Sequence, residues 1–180
     1  ILGVSIYIYF ESKNSNMIYV LSNVDNNKYL VRNVDDKQNA ADLLGNMCKK
    51  IQKLLNYLEL HNGGEDRVKR LIKKFNPNNI CESTANNKYT SYSINKGEKI
   101  VMCLRTKDGT NRLIDINTLM FVILHEIAHV MTISVGHTPE FWSNFKFILK
   151  ISVKIDIYNQ VDYSKDPQPY CGIKVTDSPL

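Results

Sequence analysis

The chain has 180 residues, which is enough for one domain of ordinary size and too few for two full-sized domains. Hydrophobic residues make up 43% of the chain and charged residues 23%, and these values exclude a wholly disordered or fibrous protein. The net charge of +5 is mildly basic, so it permits contact with nucleic acid or an anionic membrane surface but argues for neither.

Residues 1–10 are apolar and carry no charge. Their β-branched and aromatic side chains are typical of a first β-strand. The same residues are compatible with the remnant of an N-terminal transmembrane anchor, although ten residues span only about half of a ~30 Å hydrocarbon core. We therefore treat 1–10 as a hydrophobic segment and candidate membrane anchor, and we predict that 11–180 form a single domain.

The next part of the chain predicts a hairpin followed by two helices. Runs of strand-forming residues at 17–21 and 29–34 are separated by Asn and Asp residues. Apolar residues recur at helical spacing from 40 to 58, which predicts a long helix that starts at Asp35 or Asp36 and stops at 61–64. A shorter helix over 65–75 carries a basic cluster, Arg67, Lys69, Arg70, Lys73 and Lys74. Such a cluster is more often a solvated helix face than a site for phosphates or lipid.

The middle of the chain reads as strands, with 90–94, 99–105 and 113–116 as the predicted segments. The pattern becomes helical from Asn117, and the tail after 158 reads as irregular. The four cysteines form no CxxC pair, and they are Cys48, Cys81, Cys103 and Cys171. We therefore predict reduced thiols, and neither a disulfide framework nor a zinc ribbon.

Residues 125–129 read His-Glu-Ile-Ala-His, a complete HExxH motif. Four residues along a helix correspond to a rotation of about 400°, so His125 and His129 project from one face with about 6 Å between their stems. This spacing lets two imidazole nitrogens bind one zinc ion, and Glu126 is placed to take a proton from a zinc-activated water. Because the surrounding stretch 119–135 is strongly apolar, burying these groups without a metal would be costly. The motif predicts one Zn²⁺ per chain.

A catalytic zinc site usually has three protein ligands, and His137 is the first candidate for the third. Gly136 can end the helix, and Thr138 followed by Pro139 is typical of a new helix start. His137 would then lie at a corner where the chain turns back towards the metal. The fallback candidates for this ligand are two acids further along the chain, Glu140 and Asp156.

Other residues have predicted roles in supporting the HExxH helix or in catalysis. Asp115 or Asn117 could cap the HExxH helix. The following helix, 140–155, has apolar side chains at helical spacing that we expect to pack beneath it, among them Phe141 and Trp142. Two tyrosines are candidate donors to an oxyanion, Tyr163 and Tyr170. Cys171 reads as a small buried residue or as a zinc-blocking switch.

The HExxH motif, followed by Gly-His-Thr-Pro-Glu-Phe-Trp at 136–142, resembles the WLM family of zinc metalloproteases, which are minigluzincin-like peptidases related to the SprT-like group. The resemblance is closest to the WLM-like proteins of large nucleocytoplasmic DNA viruses, and it covers most of the chain from about Tyr19. It implies an α+β, minimal zincin-like (minigluzincin) fold in which a small mixed sheet packs on helices. It also implies that His125, His129 and His137 are the zinc ligands and that Glu126 is the general base.

The WLM and SprT-like groups are associated with proteolysis of proteins crosslinked to DNA. The resemblance therefore implies a zinc metalloendopeptidase with a protein substrate and with DNA as a candidate partner, located inside the host cell or in the virion. A membrane is a further candidate partner through the hydrophobic segment 1–10. One departure is that typical WLM proteins have five residues between the second and third histidines, whereas seven lie between His129 and His137. The alternatives are a catalytically weak, membrane-tethered zinc-containing interaction module and a nucleic-acid-binding protein that uses the basic cluster.

Overall fold

A computed structural model of the protein describes residues 16–180. The candidate membrane anchor, 1–10, lies outside the described residues. Within 16–180, no helix has both the length and the apolar character that crossing a bilayer requires.

The described residues form seven strands and four helices, which is the α+β composition expected from the sequence. The strands are β1 (Met17–Leu21), β2 (Lys28–Arg32), β3 (Ile80–Glu82), β4 (Ser91–Ile94), β5 (Lys99–Met102), β6 (Gln168–Tyr170) and β7 (Ile173–Val175). The helices are α1 (Lys37–Asn62), α2 (Asp66–Lys74), α3 (Ile116–Met131) and α4 (Pro139–Lys154).

The strands form a small mixed sheet and two hairpins. β1 pairs with β2 in an antiparallel hairpin, as predicted. The central sheet has the order β3-β5-β4, in which β3 is parallel to β5 and β4 is antiparallel to it. β6 and β7 form a second antiparallel hairpin near the end of the chain.

Helix α3 lies in the middle of the core. Its residues are apolar on nearly every side, because α2, α4 and the central sheet all contact it. The α3 side chains from Leu119 to Met131 are buried almost without interruption, and they belong to the same hydrophobic core as Ile100 and Met102 of β5. The strongly apolar stretch around the HExxH motif is therefore explained by a helix that is covered on several faces.

Two sequence predictions about short elements were wrong, and one strand was missed. The strand predicted at 113–116 is reduced to an isolated bridge between Arg105 and Leu113, because α3 already begins at Ile116. The tail after 158 contains the β6–β7 hairpin, and β3 was not predicted. β3, β6 and β7 each have three residues, and a run that short cannot display the alternation that identifies a strand.

The prediction of four reduced thiols was also wrong. Cys103 and Cys171 form a disulfide bond, whereas Cys48 and Cys81 are free and buried. The bonded cysteines are 68 residues apart in the sequence, so their spacing gave no sign of the pairing. They meet because the β6–β7 turn, which contains Cys171, lies against the residue that follows β5.

Candidate metal centre

Helix α3 is fixed at its start by Asp115, one of the two predicted caps. The Asp115 carboxylate accepts a hydrogen bond from the backbone N–H of Thr118 at 2.9 Å, which satisfies one of the free donors of the first turn. The helix then runs without a break to Met131. His125 and His129 therefore lie one turn apart on the same face, as the motif predicts.

The chain turns back between α3 and α4 in the way predicted for His137. Gly136 has a φ of +84°, the left-handed conformation that glycine adopts at little cost. The hydroxyl of Thr138 accepts a hydrogen bond from the N–H of Phe141 at 3.4 Å, and Pro139 occupies the first helical position of α4. His137 precedes this cap and is directed back to α3.

Three imidazole rings converge at this corner. The Nε2 atom of His125 lies 3.2 Å from that of His129 and 3.0 Å from that of His137. Ligands placed about 2.05 Å from a zinc ion at tetrahedral angles are separated by about 3.3 Å, so the observed distances fit a single ion of this kind. The candidate ligand atoms of these three histidines all lie within 4.8 Å of one another, and within residues 16–180 they form the one group of side chains that could hold a metal ion.

The electrostatics of the cluster favour neutral imidazoles, which is the form that binds a metal. Burial, followed by the charges of His129 and His137, lowers the pKa of His125 to about 3. Burial and the charges of His137 and Lys96 lower the pKa of His129 to about 4. Glu126, the residue after His125, is buried, and this burial raises the pKa of its carboxyl to about 7.

Phe141 forms the floor of the cluster, as expected for an apolar residue packed beneath α3. Its ring stacks on His129 with 4.2 Å between centroids, and it lies 4.8 Å from the ring of His125 and 4.7 Å from that of His137. The ring of Trp142 is 5.8 Å from that of His137. These contacts restrict the orientation of all three imidazoles.

The two fallback ligands lie outside the cluster. The Glu140 carboxylate accepts hydrogen bonds from the N–H of Ile133 at 3.0 Å, the N–H of Ser134 at 3.1 Å and the Ser134 hydroxyl at 2.7 Å. These donors lower the pKa of Glu140 to about 2, and the residue holds the α3–α4 loop in place. Asp156 follows the C-terminal end of α4, about 24 Å along that helix from its start.

Lys96 also holds the α3–α4 loop, because its ammonium group donates a hydrogen bond to the carbonyl of Ile133 at 2.9 Å. Glu140 and Lys96 thus both position the loop that leads to His137. The sequence analysis did not predict these roles. Their partners are backbone groups of a loop, and no residue type marks such a partner in a sequence.

The two arginines of the basic cluster on α2 contact neighbouring groups, whereas its three lysines do not pack. Arg67 pairs with Glu65 at 2.6 Å and lies over the ring of Phe147, with 3.6 Å from its guanidinium carbon to the ring centroid. Arg70 donates a hydrogen bond to the carbonyl of Met131 at the end of α3. The three lysines of the cluster are exposed. This arrangement agrees with the interpretation of a solvated helix face.

The two candidate tyrosines have different surroundings. Tyr170 is buried at the end of β6, where its hydroxyl shares a hydrogen bond with the hydroxyl of Ser91. Burial raises the pKa of Tyr170, and the nearby carboxylate of Glu126 contributes to the rise. Tyr163 packs on Phe121, with 4.6 Å between ring centroids. Of the two, Tyr170 is the one whose pKa responds to the charge of Glu126, and donation to an oxyanion stays a prediction.

The fold and the histidine cluster together define a metallopeptidase-like domain. The chain belongs to the WLM domain family, which matches residues 23–169. This membership confirms the predicted resemblance.

Two viral relatives and one solved structure are similar to the chain. It is 37% identical over 186 residues to an uncharacterized protein of Acanthamoeba polyphaga mimivirus, in an alignment that covers 100% of this chain and 94% of that protein. It is 28% identical over 143 residues to a protein of Invertebrate iridescent virus 6, covering 76% and 79% of the two chains. The fold is similar to that of Wss1 from Saccharomyces cerevisiae, with a TM-score of 0.53 and 18% identity over 70% of this chain and 86% of that one.

Proposed function

We propose that the protein is a zinc-dependent metalloendopeptidase that hydrolyses peptide bonds. The observation that carries this proposal is the convergence of three histidine Nε2 atoms beside Glu126. Three histidine ligands leave one position of a tetrahedral site for water or substrate, which is the arrangement of catalytic zinc sites. This open position favours an enzyme over the alternative of an interaction module with a structural zinc.

His125, His129 and His137 would hold the ion, since imidazole nitrogen suits zinc and Phe141 keeps the rings oriented. Bound zinc would supply a Lewis acid that polarises the scissile carbonyl and lowers the pKa of water. Glu126 follows His125 on the same helix and would accept the proton of the attacking water. With a carboxyl pKa of about 7, it can then return that proton to the leaving amine.

The substrate class that we propose is a protein bound or crosslinked to DNA. Membership of the WLM domain family and the similarity in fold to Wss1 support this proposal. Because the two relatives with the sequence similarity given above are viral, we propose that the protein acts inside the infected cell or in the virion. Attachment to a membrane through residues 1–10 is a further proposal, based on the apolar character of that segment.

The test is the substitution Glu126→Gln, which removes the proton acceptor and keeps the size of the side chain. We expect the variant to bind one zinc ion per chain with the affinity of the wild type and to lose cleavage of a DNA-binding protein. Zinc content is measured by atomic emission and cleavage by electrophoresis, with and without single-stranded DNA.

Cleavage by the wild type that increases with single-stranded DNA would support the substrate class. Equal cleavage by the wild type and the Glu126→Gln variant would contradict the assigned mechanism. Absence of cleavage by a wild type that holds one zinc ion would contradict the peptidase proposal for this substrate and favour the interaction module.

A further inference from the structure

The loop between α3 and α4 exposes two apolar side chains next to the histidine cluster. Ile133 is 67% exposed and Val135 is 86% exposed. Single exposed apolar residues are ordinary on protein surfaces. These two, however, lie in the short loop that joins His129 to His137, so the chain holds each of them within four residues of one of the clustered histidines.

The backbone of this loop is fixed. Glu140 accepts hydrogen bonds from the N–H groups of Ile133 and Ser134, and the hydroxyl of Ser134 shares a hydrogen bond of 2.6 Å with that of Thr138. A loop anchored in this way holds Ile133 and Val135 outward before any ligand arrives. Binding to them therefore costs little additional ordering.

The α3–α4 loop contacts the β4–β5 turn, whose residues 95–98 are polar or glycine. Lys96, in that turn, donates to the carbonyl of Ile133 at 2.9 Å. Gly97 lies against α3, where a Cβ atom would come within 2.9 Å of the side chain of Val130. Ile94 ends β4 directly before this turn and is 38% exposed. The loop is therefore joined through this turn to β4, which is an edge strand of the central sheet in the described part of the chain.

We infer that Ile133 and Val135 form an apolar subsite that receives a large apolar side chain of the substrate close to the bond that is cleaved. The identity of the ligand as a peptide rests on the proposed function. Contact would remove apolar surface from water on both partners, and neither side chain offers a hydrogen bond to a polar group. An extended peptide beside the outer edge of β4 would bring one side chain after another past this loop.

The test measures peptide binding to the zinc-loaded Glu126→Gln protein, in which cleavage does not interfere. Two ten-residue peptides differ at one position, which is Leu in the first and Ser in the second. Binding is followed by the fluorescence of Trp142, the single tryptophan of the chain, whose ring lies 5.8 Å from that of His137. We expect the Leu peptide to bind about tenfold more tightly.

In the same background, the double substitution Ile133→Ser and Val135→Ser should abolish the preference for the Leu peptide. The matched control is Leu60→Ser, which removes a side chain that is 77% exposed on α1 and should leave the preference intact. All three side chains are exposed, so we expect the variants to fold with unchanged melting temperatures. A preference that survives the double substitution, or that is absent before it, would overturn the inference.

A second experiment separates this inference from the proposed function. The same variants are made with Glu126 intact, and their cleavage of an unfolded protein is compared. A subsite at the loop predicts cuts enriched next to large apolar residues, and it predicts loss of that enrichment in the double variant. If no variant cleaves but the binding preference depends on Ile133 and Val135, the peptidase proposal fails and the subsite stands. If cleavage occurs with enrichment unchanged in the double variant, the subsite fails and the peptidase proposal stands.

Discussion

His137 owes its position to more of its neighbours than the other two histidines do. His125 and His129 are placed by the regular geometry of one helix, so the HExxH spacing alone was sufficient to predict their proximity. His137 depends on the left-handed turn at Gly136, on the helix cap at Thr138 and on the loop that Glu140 holds. The first two of these have signals in the sequence, and the third does not.

Substitution of His137 and of Glu140 tests which of them is the third zinc ligand. We expect His137→Ala to raise the dissociation constant for zinc by more than about 100-fold, because it removes a ligand. Glu140→Gln should raise it by only about tenfold, because it weakens the support of a ligand. Competition with a chromophoric chelator measures both constants. A larger loss for Glu140→Gln than for His137→Ala would identify Glu140 as the ligand.

At the scale of elements, the long and strongly patterned segments were predicted well. The predicted limits of α1 agree with the structure to within a residue or two, because its apolar face repeats over many turns and ends at a pair of glycines. The strands of three residues were missed because they are too short to show alternation, and for β3 also because its partner is distant in the sequence. β3 pairs with β5, about twenty residues further on.

The hydrogen bond between Asp115 and the first turn of α3 can be tested by substitution. Replacing Asp115 with Ala leaves the N–H of Thr118 without its acceptor, and we expect the free energy of unfolding to fall by about 1 kcal/mol. Asp115→Ser retains a capping oxygen and should lose much less. Urea denaturation gives both values. Equal losses for Ala and Ser would show that the carboxylate acts through something other than the cap.

At the scale of the whole molecule, a group of buried charges joins distant segments. The Glu82 carboxylate is fully buried on β3, accepts a hydrogen bond from the N–H of Arg32 on β2 at 2.7 Å, and pairs with Nε of Arg105 at 2.8 Å. Arg105 also pairs with Asp36, at the start of α1, at 2.7 Å. The sequence analysis assigned no partners to these residues. Pairs separated by 23 to 69 residues have no periodicity that a sequence could display.

The ion pair between Asp36 and Arg105 can be tested by the pH dependence of the free energy of unfolding. A hydrogen bond from Arg105 and its charge hold the pKa of Asp36 below the ordinary 3.8. The ionised carboxylate therefore stabilises the fold at pH values above about 3.8, and this contribution is lost as the pH falls through the lowered pKa. We expect Asp36→Asn to reduce the free energy of unfolding by about 1 kcal/mol at pH 7. The difference from the wild type should shrink steadily below about pH 4.

Asp35 supplies the matched control, because it is the neighbouring acid and is exposed. Asp35→Asn should leave the free energy of unfolding nearly unchanged at both ends of the pH range. A difference between wild type and Asp36→Asn that stays constant down to pH 2 would contradict the role assigned to the ion pair. Denaturation by urea at a series of pH values provides the measurement.

The bond between Cys103 and Cys171 closes a covalent ring that contains α3, α4 and all three histidines. A single break in the backbone anywhere inside this ring leaves both fragments attached to each other. A chain that had cut itself there would migrate close to the intact protein on a gel run without a thiol reagent, and would separate into two bands only after reduction.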